Sequence, residues 1–209
     1  GETGLQALRQ ISDDYDILLI VDDIQVGKGR SGDFFSFERA GINPDIVTLS
    51  KSIGGGHPIS LVLLKPDLDK WTHGEHSGPF RGNNLAFVAS TVAIDNYWSD
   101  DSFSKEIKNK AKLIEQRMQK LALGFSEHIR EIRGHGMIWG AEFKKPEITS
   151  AICSQAFKDG LVIETAGAAG DVIKFLGPLI ITEDLINEGF DILESAIAKV
   201  LKQQATESK

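Results

Sequence analysis

Short apolar runs alternate with longer amphipathic stretches along the first hundred positions. Leu5, Leu8 and Ile11 recur at helical spacing and predict a helix from Leu5 to about Asp14. It leads into the run Ile17-Leu18-Leu19-Ile20-Val21, which reads as a strand, Asp16 to Val21, covered on both faces. Two further strands are predicted over Asp45 to Leu49 and Ile59 to Leu64, the second stopped by Pro66. An apolar segment from about Leu85 to Trp98 predicts a buried helix. Then the pattern changes. Phe103, Ile107, Ala111, Ile114, Met118 and Leu121 form one stripe on an otherwise charged helix, and a domain boundary is expected near Ser99, giving units 1–98 and 99–209.

In the second unit, Ile129 to Phe143 reads as strands broken at Gly134-His135-Gly136. A helix near Thr149 to Lys158 and short strands at Leu161 to Glu164 and Val172 to Leu176 follow. The final helix has Thr182 as its N-cap, Glu183 and Asp184 complementing the helix dipole, and Ile186, Phe190, Leu193, Ile197 and Val200 on one side; Gln204 to Lys209 are expected to fray. The fold class is α/β: part of a mainly parallel sheet, joined to a small α+β domain.

Chemistry collects where two of the predicted strands end. Asp22 closes the first, and Lys51 follows the second just before Gly54-Gly55-Gly56. Open parallel sheets bind ligands beyond the carboxyl ends of their strands. A strand-end aspartate or lysine is usually only a solvated charge; the shared setting raises both. Together they supply what pyridoxal phosphate chemistry needs, an amine that forms a Schiff base and a carboxylate that keeps the pyridine nitrogen protonated.

Composition narrows the field further. The 209 residues carry a net charge of -7 with no basic block, which argues against a nucleic-acid surface. Cys153 is the only cysteine, fitting a reducing compartment. No apolar run approaches the ~18–20 residues that cross a bilayer, and no basic-then-apolar leader pattern is present, so a cytoplasmic protein without a membrane partner is expected. His73 and His76 lack the helix and acidic partners of a metal site. The loop Gly27 to Gly32 has neither P-loop nor dinucleotide-site spacing and reads as a turn near the cofactor, while Phe34, Phe35 and Phe37 read as packing residues.

The stretches Leu19-Ile20-Val21-Asp22-Asp23-Ile24-Gln25, the loop to Gly32, Asp45-Ile46-Val47 and Ser50-Lys51 resemble, in register, class III pyridoxal phosphate aminotransferases of fold type I. Within that class, Phe35-Ser36-Phe37-Glu38, Gly74-Glu75-His76, Phe80-Arg81-Gly82-Asn83-Asn84 and Gly160 to Thr165 are similar to the diaminobutyrate:2-oxoglutarate branch that serves ectoine synthesis. Ornithine and 4-aminobutyrate types, or a catalytically silent module, are the alternatives. The resemblance implies that Lys51 carries the cofactor, Asp22 pairs with its ring nitrogen and Gln25 reaches its phenolic oxygen. Burial would make Lys51 a usable base. It further implies amino acid and oxo acid substrates, with Arg81 and Lys174 as candidate contacts to them, and a homodimer or higher homo-oligomer.

The sequence departs from the class pattern at three places. Pro79 stands where the class usually has a threonine that binds the cofactor phosphate across a dimer interface, and proline offers neither hydroxyl nor N–H. Lys174 stands where many members have a carboxylate-binding arginine; it is a point charge rather than a fork, and equally a solvated strand lysine. The stretch Gly54 to Pro58 is about one residue shorter than in the ectoine branch. The resemblance also implies that the chain corresponds to the C-terminal half of such enzymes. The ring-stacking aromatic and a phosphate-binding helix N-terminus would then lie in the other half, and these 209 residues alone should bind the cofactor weakly and turn over no substrate.

Overall fold

The structure, a computed structural model, describes residues 1–76, 78 and 81–207. It divides into two compact units, Gly1–Glu106 and Ile107–Lys209, with the division inside a long helix.

The first unit opens with α1 (Glu2–Asp14). It then forms β1 (Ile20–Asp22), β2 (Ile46–Leu49) and β3 (Leu61–Leu64) in the order β1-β2-β3. β1 runs parallel to β2, with Ile20 opposite Ile46 and Asp22 opposite Thr48. β3 runs antiparallel to β2, so the sheet is mixed. Val47 and Leu49 point to one face and are buried with Phe37 and Ile53; Val21, Phe34, Phe35, Ile59 and Leu61 pack around them. Phe35 stacks on Phe37 with centroids 5.1 Å apart, and Phe34 meets Trp98 edge-on at 5.1 Å, so these rings are core as expected.

Three elements of this unit leave apolar positions uncovered, β1 and α2 against expectation. β1 is shorter than predicted, and Ile17, Leu18 and Ile20 are exposed. α1 does not bury its apolar stripe, because Leu8 and Ile11 face solvent. Its inward contacts are polar: Gln6 donates to the Ala40 carbonyl at 3.0 Å and Arg9 to Asp45 at 2.7 Å. α2 (Asn84–Tyr97) forms where predicted, and the Asn83 side chain caps it by accepting from the Leu85 and Ala86 amides, but it is not a buried helix. Only Ala86 and Ser90 are buried, while Leu85, Phe87, Val88 and Val92 are exposed. In all three cases the apolar pattern is present, but the elements of this chain cover only one side of it.

α3 (Ser102–Gly124) leads into the second unit, and its stripe is buried as predicted at Phe103, Ile107, Ile114, Met118 and Leu121. There β4 (Ile129–His135), β5 (Ile138–Phe143), α4 (Glu147–Lys158), β6 (Glu164–Ala166), β7 (Val172–Phe175) and α5 (Glu183–Glu207) follow in order. The strands form an antiparallel sheet in the order β4-β5-β7-β6. Gly134 is required in β4, because a Cβ there would come within 2.5 Å of the Trp139 ring. Thr182 accepts the Leu185 amide at 3.3 Å, the cap predicted for α5, whose helix is assigned to Glu207; Ser208 and Lys209 lie outside the described residues. β6 starts at Glu164, later than the predicted Leu161, because pairing begins only where Glu164 lies opposite Lys174.

Candidate active site

β1 and β2 deliver their last residues to the same end of the sheet. Asp22 is the final residue of β1, and its partner across the ladder is Thr48; Lys51 follows three positions later on the β2 side. Asp22 is exposed. Its Oδ1 accepts the Ile24 amide at 2.9 Å and the Thr48 hydroxyl at 3.3 Å, so the carboxylate is oriented but not saturated. Gln25 lies in the turn that follows and is also exposed.

Lys51 begins a short 3-10 turn, Lys51–Gly54, and its own backbone is left-handed at φ 55°. Outside glycine this conformation is uncommon and carries a cost, and such strain clusters at functional sites. The turn ends on Gly55 at φ 57°, where a Cβ would come 2.8 Å from that of Ala89, so glycine is needed there for both shape and space. Ser50 anchors the entry by donating to the Ile59 carbonyl at 2.8 Å, and Ser90 of α2 donates to the Ile53 carbonyl. The expected burial of Lys51 is not met: the side chain is exposed, and among the described residues its amine has neither hydrogen-bond nor ion-pair partner.

Two neighbours that the sequence reading passed over shape the turn between β1 and the glycine loop. Asp23 is fully buried at 0% exposure and accepts the Ser36 amide at 2.9 Å as well as the Ser36 hydroxyl. Lys28, inside the glycine loop, is 5% exposed and left-handed at φ 53°. Its ammonium donates to the carbonyls of Asp23 at 2.9 Å and Ile24 at 2.8 Å. Burial pushes its pKa down; Asp23 and Asp22 oppose that shift and Lys51 adds to it. The only sequence signal was the position itself, a lysine between two glycines in a tight loop.

The remaining candidates belong to other elements. Arg81 is exposed and among the described residues has no hydrogen-bond or ion-pair partner, while Pro79 and Phe80 lie outside the described residues. Lys174 belongs to β7 in the second unit, where its Nζ pairs with Glu164 at 2.7 Å beside an apolar groove formed by Phe175, Phe190 and Leu193. No helix among the described residues is long and apolar enough to cross a membrane.

Comparison with known proteins gives consistent relatives. The family described as Aminotransferase class-III matches residues 2–197. The chain is 52% identical over 200 residues to a diaminobutyrate–2-oxoglutarate transaminase of Virgibacillus pantothenticus, covering 95% of this chain and 48% of that protein. It is 49% identical to the protein of the same name from Wolinella succinogenes, covering 96% of this chain and 47% of that one. Among solved structures it is similar to N-acetylornithine aminotransferase from Stenotrophomonas maltophilia K279a, with a TM-score of 0.82 at 30% identity over 95% of this chain and 52% of the other. The chain thus spans about half the length of the curated relatives it matches.

Proposed function

The chain belongs to the class III aminotransferases, with their fold type I α/β architecture, and from that premise we propose that it serves pyridoxal phosphate-dependent transamination. The amino group of L-glutamate passes to L-aspartate 4-semialdehyde, giving 2-oxoglutarate and L-2,4-diaminobutyrate, in ectoine synthesis. Relatives at about 50% identity bearing the diaminobutyrate–2-oxoglutarate transaminase name support this substrate pair over the ornithine and 4-aminobutyrate alternatives. The cytoplasm as its location and a homodimer as the working form belong to the same reading.

The residues present fit the cofactor. An amine without a partner among the described residues, a carboxylate and an exposed carboxamide stand at the carboxyl end of one parallel strand pair. That juxtaposition is the observation that carries the reading. Bound pyridoxal phosphate supplies an electron sink for the pair released when a bond at the amino-bearing carbon breaks. Lys51 would hold the aldehyde carbon through its Nζ and, once freed by substrate, carry a proton at that nitrogen between substrate and cofactor carbons. Asp22 would accept a hydrogen bond from the ring nitrogen and keep it protonated, its geometry preset by the Ile24 amide and the Thr48 hydroxyl. Gln25 would donate to the ring's phenolic oxygen. Arg81 and Lys174 are proposed for substrate carboxylates, and Lys174 would have to exchange Glu164 for that role. Pro79 is proposed to leave the cofactor phosphate one hydroxyl short.

The test is a comparison of amino donors and acceptors with the full-length gene product. Glutamate with aspartate semialdehyde should outpace glutamate with the semialdehydes derived from ornithine or 4-aminobutyrate. Preference for either of those would overturn the substrate assignment, and no turnover with any of them would overturn the activity.

A further inference from the structure

Lys28 sits where a glycine would serve the backbone better. It is left-handed, flanked by Gly27 and Gly29, and its own amide donates back to the Phe34 carbonyl at 2.5 Å to close the loop. What a lysine adds at that position is a buried ammonium, and both of its bonds go to one target, the consecutive carbonyls of Asp23 and Ile24. The peptide that joins Asp23 to Ile24 thus has a partner on each side: its carbonyl, that of Asp23, accepts from Lys28 at 2.9 Å, and its amide, that of Ile24, donates to the Asp22 carboxylate at 2.9 Å. The Asp23 carboxylate is already occupied by Ser36, so the ammonium is held through main-chain carbonyls that cannot swing away as a side chain could. Asp22 and Lys51 complete its charged surroundings.

We propose that Lys28 is a positioning residue for the site: by clipping the Asp23 and Ile24 carbonyls it fixes the Asp22 to Gln25 turn and, through the peptide joining Asp23 to Ile24, the direction of the Asp22 carboxylate. The role of the turn rests on the cofactor reading given above; the clip itself does not. Charge-assisted bonds of this kind are stronger than neutral ones, and a site held to a fraction of an ångström needs such support behind the residues that touch the ligand.

Two variants of the full-length protein separate this from a general structural role. Lys28→Met keeps length and bulk but removes the ammonium, whereas Lys28→Gly removes the ammonium and relaxes the left-handed backbone. In the cofactor-free protein, amide hydrogen exchange at Ile24 should speed up about tenfold or more in both, while Val47 and Leu49 of β2 stay within about threefold of the parent. The dissociation constant for pyridoxal phosphate, read from the visible absorption of bound cofactor, should rise about tenfold in both, and borohydride should still attach the cofactor to Lys51. Ile24 exchange and cofactor affinity that match the parent in Lys28→Gly would overturn the proposal, since the turn would then hold without the clip. Equal acceleration at Ile24, Val47 and Leu49 would also overturn it, because the loss would be global; if Lys28→Met does not fold, Lys28→Gly decides alone. Failure of the parent protein to take up cofactor would sink the cofactor reading instead, and the Ile24 exchange result would still judge the clip.

Discussion

Asp45 stands at the start of β2 and Asp22 at the finish of β1, so two aspartates mark opposite ends of one parallel strand pair. Asp45 is buried and saturated. Lys65 reaches one oxygen and Arg9 the other, each at 2.7 Å, and the Leu19 amide adds a third bond at 2.7 Å. Lys65 first, then Arg9 and the Leu19 amide, hold its carboxyl far below the usual carboxylate range despite burial. Asp22, by contrast, is exposed and keeps acceptor capacity in hand. The amino end of the sheet uses its carboxylate to tie α1, β1, β2 and the end of β3 together, leaving nothing for a ligand. The carboxyl end presents one carboxylate and one amine that has no partner among the described residues. The same division separates two left-handed lysines: Lys28 satisfies its ammonium within the fold, and that of Lys51 has no partner among the described residues.

If that division is right, substitutions at the two ends should fail in different assays. In the full-length protein, Lys51→Ala and Asp22→Asn should each lower turnover by about a thousandfold or more, on the order of 4 kcal/mol at ~1.4 kcal/mol per tenfold, with unfolding midpoints near the parent's. Steady-state kinetics beside a thermal melt would check this, and an Asp22→Asn enzyme within tenfold of the parent would remove Asp22 from the chemistry. Asp45→Asn should reverse the pattern. Because Arg9 and Lys65 are partly exposed, the loss of stability should be about 2–3 kcal/mol, below the 3–5 typical of a fully buried broken pair, with turnover of the folded fraction little changed. Urea unfolding measures it.

The Asp45 cluster also sets a pH dependence. Its folded pKa lies below the unfolded value of about 3.9, so it contributes stability that is fully present above that value and is lost as pH falls through the folded pKa. Unfolding free energy should therefore decline from about pH 5 downward, and Asp45→Asn should flatten that slope; an unchanged slope would assign acid sensitivity to other carboxylates. The smallest expected effect is at Thr48, whose 3.3 Å bond to Asp22 is long. Thr48→Val should change turnover by about threefold or less, under ~1 kcal/mol, and a larger loss would mean that this hydroxyl, rather than the Ile24 amide, sets the carboxylate.

The carboxyl end was legible in the sequence because its evidence is local. Asp22 closes an apolar run, and Lys51 sits between a second run and three glycines, so strand ends and turn space can be read without knowing what lies across the fold. The Thr182 cap and the α3 stripe are legible for the same reason. The amino end was not. Asp45 looked like one more member of the motif, since Arg9 and Lys65 lie 36 and 20 positions away and only the fold brings them to it. Lys28 was hidden in a loop read only as a turn, and its carbonyl partners at Asp23 and Ile24 follow from how that turn folds back. α2 misled differently: an apolar composition predicts burial only where something covers it, and pattern alone does not say what does.

Borohydride reduction of the full-length protein with pyridoxal phosphate, followed by peptide mapping, decides whether Lys51 carries the cofactor. The cofactor should be trapped on the peptide carrying Lys51, and Lys51→Ala should abolish both the label and the visible absorption band. Label on another lysine, such as Lys28 or Lys174, or a band that survives Lys51→Ala, would contradict it.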